Sequence, residues 1–383
     1  MNNKDKRITI LYVCPDASLG GSTQSMINMI ESIREIIKPI VLLPSQDTAY
    51  NYLMELGIDC LVHPYVLLHH IQPVSWKRTI CHPKSSALYR YFYTDWNCVR
   101  WVTNKLKNQN IEIVHSNFSS VTVGALLARK LNAKHIWHIR EFLDLDFNFN
   151  VFLGISRLRR IINRADARIV ISSKIAEYWN FKKNSTFLLF NAIASESEVC
   201  YDMEKEKYIL FCSYYITEKK GARRAVVAFG MSGMWKEGYR IKLLGNCNED
   251  YMSSLMETAK KFRCEDFVDF IPCQKKVKPF FQKATAYIMA SDCEAFGRVT
   301  AEAMFWGCPI IAHATGGTLD LVKNGNTGWL YYSEKECAKL IRKVCNESQE
   351  NIIINAQNFA LKNLTREYYG PKITKIYFNI LNH

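Results

Sequence analysis

Residues 291–317 read SDCEAFGRVTAEAMFWGCPIIAHATGG and hold two glutamates, Glu294 and Glu302, eight positions apart. The run just before, ATAYIMA at 284–290, is short, continuous and apolar, as in a strand buried on both faces. SDCEAFG has turn chemistry. RVTAEAMFW is built of helix formers, and Gly307 stands where a C-terminal glycine cap belongs. CPIIAHA reads as a second buried strand, TGG as a turn, and TLDLVKNG as a short helix ending on Gly325. A strand–helix–strand–helix order calls for a parallel sheet with crossover helices. Ligands of such sheets sit at the carboxyl ends of the strands. Glu294 falls on that rim, and Glu302 lies up to roughly 12 Å further along at about 1.5 Å per helical residue. Backbone amides near Phe296, Gly297 and Arg298, at the helix start, can receive an anion. Carboxylate, anion cradle, carboxylate is a layout for a ligand with hydroxyls at both ends and phosphate between them, such as a nucleotide-sugar.

The same stretch resembles the signature of retaining glycosyltransferases of family 4. That signature is a glutamate, a small residue, Phe-Gly, a second glutamate after seven intervening residues, Ala-Met, Gly-x-Pro and a later Gly-Gly. Here it reads E-A-F-G-R-V-T-A-E-A-M-F-W-G-C-P, followed by T-G-G. The resemblance implies an α/β protein of the GT-B fold, with two Rossmann-like doubly wound parallel-sheet domains facing a central cleft. It implies that Glu294 holds donor-sugar hydroxyls, that the amides of Phe296, Gly297 and Arg298 meet the sugar and diphosphate, and that Glu302 binds the ribose.

The chain has 383 residues, 48% of them hydrophobic and 22% charged, enough for two domains with separate cores. No apolar run approaches the ~18 residues of a membrane span. The N-terminal ITILYV is too short for a signal peptide and reads as a first strand. The 13 cysteines are scattered, with no Cys-x-x-Cys pair, which fits a reducing compartment and argues against a disulfide framework or zinc site. A cytoplasmic protein is expected, peripheral on the inner membrane face. The net charge is +14, and residues 1–190 carry 24 Lys and Arg against 14 Asp and Glu. Such an excess fits a nucleic acid, an anionic membrane surface or a phosphorylated substrate. No nucleic-acid recognition motif accompanies it, so no nucleic-acid partner is expected.

ITILYV, IKPIVLLP, IEIVHSN, AKHIWHIREF and ARIVISS read as strands separated by helical segments, the alternation of a doubly wound domain. The pattern restarts near 190, where FLLFNAI leads into an acidic stretch and KYILFCSYY opens a new series. The expected division is 1–190 for the acceptor side, 191–364 for nucleotide-sugar binding, and 365–383 for a last helix that, in GT-B folds, crosses back to the first domain. Gly20-Gly21 lies between the first strand and a helix, again placing amides at a site. It is neither a Walker loop nor a dinucleotide fingerprint. It looks like the family's glycine-rich loop, which touches the donor diphosphate and the acceptor.

His138, Arg140 and Glu141 cluster at a strand exit, where sites form. By resemblance, His138 is the histidine that contacts the donor sugar near the reacting carbon, with Glu141 second. SYYITEKKGARRAV resembles the family's Gly-Arg-x(4)-Lys-Gly loop, so Lys220 would meet the diphosphate as a point charge. Tyr214 and Tyr215 stand where Gly-Arg is usual; Arg223, Arg224 or Lys219 are the candidates to replace the missing arginine. Asn191 matches the asparagine that opens the interdomain linker, and by resemblance it joins Gly20 and Gly21 among the donor-binding residues. The Asp144–Asp146 pair has the Asp-x-Asp form of a metal motif that belongs to a different glycosyltransferase fold, so no metal is expected. Donor chemistry of the UDP-sugar type, without any cofactor, follows from the resemblance.

Residues 65–101 hold Lys77, Arg78, Lys84, Arg90 and Arg100 against one acid, Asp95, with eight aromatics that include Trp76, Tyr91, Phe92, Trp96 and Trp101. Amphipathic aromatics with cations fit a membrane interface or a lipid-phosphate acceptor, and the same mixture fits single-stranded nucleic acid. SRLRRIINRADAR adds Arg157, Arg159, Arg160, Arg164 and Arg168, which at helical spacing fall around much of a helix. The reading is a retaining transferase acting on a glycan or lipid-linked acceptor. A non-catalytic glycosyltransferase-like subunit and a GT-B-shaped sugar-nucleotide epimerase are the alternatives.

Overall fold

The structure is a computed structural model, and it describes residues 7–70, 87–151, 154–201 and 204–382. It divides into two compact units, Met1–Ala192 with Tyr369–His383, and Ile193–Tyr368.

The first unit is a seven-stranded sheet in the order β3-β2-β1-β4-β5-β6-β7. Its strands are β1 (Ile8–Val13), β2 (Ile37–Leu43), β3 (Asp59–Val62), β4 (Ile113–Ser116), β5 (Lys134–Ile139), β6 (Ala167–Val170) and β7 (Thr186–Leu188). Among the described residues, every pairing of these strands is parallel. The chain runs outward from β1 to β3, then returns to place β4 on the other side of β1, so the strand order reverses there. The second unit repeats the scheme with six strands, β10-β9-β8-β11-β12-β13. These are β8 (Glu206–Tyr215), β9 (Arg240–Asn246), β10 (Val268–Ile271), β11 (Ala284–Met289), β12 (Ile310–His313) and β13 (Trp329–Tyr331). Here the order reverses between β8 and β11. The apolar runs form these strands because both faces of each sheet are covered by helices, which leaves no polar face to alternate with.

Each unit has its own core. Tyr369, Ile373, Tyr377 and Ile380, on the last helix Arg366–Leu381, lie in the core of the first unit. A Cβ on Gly370 would stand 2.6 Å from the carbonyl oxygen of Ser32, so this helix approaches its neighbour closely. The breaks fall after Ala192 and Tyr368, compared with the expected 190 and 364. Local bonding accounts for the shift: Asn28 donates to the Ala192 carbonyl at 3.3 Å, whereas Ile193 N donates to Leu364 O at 2.9 Å.

Two expectations are corrected. TLDLVKNG is helical only over Thr318–Leu321, and Gly325 belongs instead to the turn that follows. The arginine run is not one helix. The helix is Ile155–Ile162, and Arg168 lies in β6, buried, donating to the carbonyls of Asn163 and Ala165. Its guanidinium ties a loop to the sheet and is not available to an external anion.

Candidate active site

In the second unit, Glu294 and Lys220 meet at the strand-order reversal. Lys220 follows the end of β8, and Glu294 follows β11. Lys220 Nζ lies 3.3 Å from Glu294 Oε2. Two close backbone approaches create this meeting. Gly221 has φ +75, and a Cβ there would stand 1.9 Å from the Ala290 carbonyl oxygen. Asp292 N donates to Lys219 O at 3.0 Å. From the other side, Gly316 and Gly317 press on the Glu294–Phe296 loop, and Gly317 N donates to Glu294 O at 2.6 Å. The Gly-Gly pair read in the sequence is therefore packed against the backbone that carries the first glutamate.

Gly297, at φ +95, caps the start of the helix Arg298–Phe305. Phe296 is buried beneath it. Glu302 lies one turn in, only 15% exposed, with Oε1 accepting from Arg298 Nε at 3.0 Å. Burial pushes its carboxyl up, and Arg298 opposes this. A small pocket of about 40 Å³ opens here, lined in part by Ser213, Lys220, Glu294, Gly297 and Thr300. Thr300 Oγ1 is buried without a hydrogen-bond partner. The three candidate substitutes for the missing arginine differ. Arg224 is committed to Asp292 at 2.8 Å and Glu334 at 3.3 Å, and Arg223 to Glu218 at 3.1 Å. Lys219 makes no ion pair among the described residues. Tyr214 and Tyr215 are exposed, their rings perpendicular at 4.8 Å.

In the first unit the strand exits carry a buried polar chain. Tyr12 OH lies 3.2 Å from Tyr377 OH, which lies 2.9 Å from His115 Nδ1. His115 Nε2 is 3.3 Å from His138 Nδ1, and Arg140 Nη2 is 3.2 Å from that same nitrogen. Arg140 also donates to Asn117 Oδ1 at 2.8 Å and to Asn191 Oδ1. Asn117 in turn donates to the Ser22 carbonyl at 3.0 Å, in the first turn of the helix Gly21–Ser32. His138 is thus fully buried behind Arg140, and its Nε2 has no partner. Burial, then Arg140, lowers its pKa, so the ring is neutral. Gly20 and Gly21 have ordinary backbone angles, and Gly21 faces open space. Glu141 is buried; its carboxylate accepts from Ser119 N at 2.7 Å and from Arg140 N at 3.0 Å. Burial pushes it up to about 8 against those hydrogen bonds.

Asn191, beside the expected linker, lies in this cluster as a partner of Arg140. His115, Asn117 and Tyr377 escaped the sequence reading. The signal for the first two was present, because IVHSN ends in polar residues at a strand exit as IWHIRE does.

Asp144 and Asp146 serve locally. Asp144 Oδ1 accepts from Tyr178 OH at 2.6 Å, and Asp146 Oδ2 from Phe142 N at 2.9 Å. Among the described residues, no group of three or more His, Cys, Asp or Glu is placed to hold a metal ion, and no helix is long and apolar enough to cross a membrane. The described cysteines are free. Trp76, Lys77, Arg78 and Lys84, and the side chain of Arg90, lie outside the described residues.

Residues 200–359 match the family profile of the glycosyl transferases group 1. The α-monoglucosyldiacylglycerol synthase of Streptococcus pneumoniae is 25% identical over 180 residues, covering 46% of this chain and 40% of the synthase. The chain spans about half the length of the curated relatives it matches, 40%, 63% and 58% for three of them. Anabaena HepE in complex with UDP superposes with a TM-score of 0.79 at 18% identity, over 97% of this chain and 100% of that one. The same protein with UDP-glucose gives 0.76 over the same shares. A glycosyltransferase of Rickettsia africae gives 0.77 at 16% identity, over 98% and 99%. At these identities the likeness establishes architecture. The chain has the GT-B fold, and the match to the group 1 glycosyl transferases falls within its second unit.

Proposed function

We propose that this chain is a retaining glycosyltransferase of family 4 that moves a hexosyl or N-acetylhexosaminyl group from a UDP-sugar to a lipid-linked or polysaccharide acceptor. The observation that carries the reading is the Lys220–Glu294 contact of 3.3 Å, at the strand-order reversal of a group 1 domain. Glu294 takes the sugar hydroxyls. Lys220 and the amides of Phe296, Gly297 and Arg298 take the diphosphate. Glu302 has Oε1 occupied by Arg298, which leaves Oε2 for a ribose hydroxyl. That HepE is seen with UDP and UDP-glucose supports a donor of this type, and the name of the S. pneumoniae synthase supports a glycolipid acceptor.

No covalent nucleophile is assigned. The leaving phosphate takes the proton of the attacking acceptor hydroxyl on the same face of the sugar, while the protein positions both and stabilises charge. With Lys220 and a helix start meeting the diphosphate, turnover proceeds without a divalent metal. In the first unit, Gly20, Gly21, His138 and Asn191 belong to the proposed machinery, with His138 acting through Arg140. The basic first half holds the protein at the cytoplasmic face of an anionic membrane. A second reading, a subunit without turnover, is favoured by Tyr215 standing where an arginine is usual. Turnover of any nucleotide-sugar rejects it.

The experiment is Glu294→Ala, assayed against a panel of nucleotide-sugars identified by thermal shift. Transfer should vanish with the fold intact. Wild-type turnover on the true substrates would remove Glu294 from the site.

A further inference from the structure

The helix Ala87–Lys105 has a buried face and an exposed aromatic stripe. Tyr91, Asp95, Cys98 and Val102, at spacings of four, three and four, are buried. Tyr89, Phe92, Tyr93 and Trp96, at spacings of three, one and three, are exposed, Phe92 by 63% and Trp96 by 57%. The exposed stripe forms one wall of a groove of about 1090 Å³, just above the ~300–1,000 Å³ range of small-molecule pockets. The opposite walls come from the helix Val123–Leu131, through Ala125, Leu126 and Ala128, and from Ile161 on the helix Ile155–Ile162. His135, near the start of β5, lines the floor. It lies five strand residues, about 16 Å at ~3.3 Å each, from Arg140 at the strand exit, so the groove is remote from the rim cluster.

The chemistry of the groove is lopsided. Its floor polar groups are already paired, the Thr122 hydroxyl with that of Tyr91 at 2.6 Å, and the His135 ring with the Ser116 hydroxyl at 2.9 Å. Arg129, Lys130 and Arg164 stand at its edge and make no ion pair among the described residues. Arg100 lies over the Trp96 ring at 5.6 Å. Two acids reach the groove: Asp166, paired with Lys134 at 3.6 Å, and Asp95, which burial pushes up to about 7. An apolar trough edged by unpaired cations matches an anion with a long apolar body. A second copy of this chain fits poorly, because a two-fold contact would set basic rim on basic rim in a protein of net charge +14.

We propose that this groove seats an acyl chain of an anionic membrane phospholipid, with the lipid phosphate held by Arg129, Lys130 and Arg164. The proposal rests on the membrane-side part of the functional reading and adds to it a defined chain-binding site. Such a seat anchors the unit by buried apolar area, which salt does not screen, in addition to the surface charge, which salt does.

The test is co-sedimentation of the full chain with phosphatidylcholine vesicles, with and without phosphatidylglycerol, at ~0.1 M and ~1 M salt. The wild type should prefer the anionic vesicles at low salt and keep part of its binding at high salt. Ala125→Trp, which fills the groove from a half-buried position, should lose the salt-resistant part at least about tenfold. The pair Phe92→Asp and Trp96→Asp, at exposed positions that do not endanger folding, should do the same. Arg129→Glu with Lys130→Glu should lose the preference for phosphatidylglycerol. If the groove variants bind like the wild type at high salt, the chain seat is overturned while electrostatic docking stands. A wild type that binds neither vesicle overturns both. If light scattering shows a wild-type dimer that the groove variants dissociate, with vesicle binding unchanged, a second copy covers the groove and the lipid proposal falls. All readouts are of binding, so loss of sugar transfer bears on the catalytic reading alone.

Discussion

Replacing Gly316 by alanine should damage the donor site through the backbone that carries Glu294. Gly316 sits at φ +50, and its new Cβ would stand 2.1 Å from the carbonyl oxygen of Glu294. The obstacle is backbone, so no side chain can swing aside. A left-handed non-glycine residue costs roughly 1–2 kcal/mol. Displacing the Glu294 carbonyl breaks its 2.6 Å bond from Gly317 N, and an unsatisfied buried group costs about 1–3 kcal/mol. Together these give about 2–5 kcal/mol. For a domain of 150–250 residues each kcal/mol lowers Tm by about 2–4 °C, so the drop should be on the order of 10 °C. The loop must also carry Glu294 away from Lys220 by ~1 Å, a displacement that can cost about 10²-fold in rate. Gly238→Ala is the control. Gly238 has φ +83 with nothing within 4 Å of an added Cβ, so it bears the strain alone, about 1–2 kcal/mol, with transfer unchanged. Thermal unfolding and transfer kinetics of both variants are the assay. If Gly316→Ala is no less stable than Gly238→Ala and turns over normally, the packing argument for the Gly-Gly pair is wrong.

Glu141→Gln should flatten the pH dependence of stability. Burial raises its folded pKa from the ordinary 4.5 to about 8, so the folded state holds the extra proton and this group's contribution falls as pH rises from about 4.5 to 8; parallel denaturation profiles for variant and wild type would refute the burial assignment. Chelator should leave transfer unchanged, and activity lost to chelator and restored by magnesium or manganese would return Asp144 and Asp146 to consideration. Tyr215→Arg should lower the donor KM by placing a cation where the resemblance expects one, since Arg223 and Arg224 are tied to carboxylates; an unchanged KM in steady-state kinetics would mean the position does not face the diphosphate. Lys220→Ala should raise donor KM and lower kcat while Tm holds, because the lysine is 43% exposed and its pairing with Glu294 adds little stability.

The alternating architecture, the break near 190 and the loop that carries Glu294 and Glu302 were legible in residue order alone. Strands buried on both faces leave continuous apolar runs, and tight approaches such as Gly316 on Glu294 leave glycines, so a local window records both. Strand β9 carries Arg240 and Lys242 within its apolar run, and these cations pair across to Asp269 and Glu206. The tertiary structure alone decided which polar groups meet. Tyr12 and Tyr377 are 365 residues apart and touch, and they build the chain through His115 and His138 to Arg140. Arg168 reads as one more helical arginine until strand pairing buries it. The groove has three helices for walls, and its aromatic stripe has meaning only beside the cations of another helix. Side-chain partners distant in the chain are set by sheet register and helix packing, and no short stretch of sequence contains either.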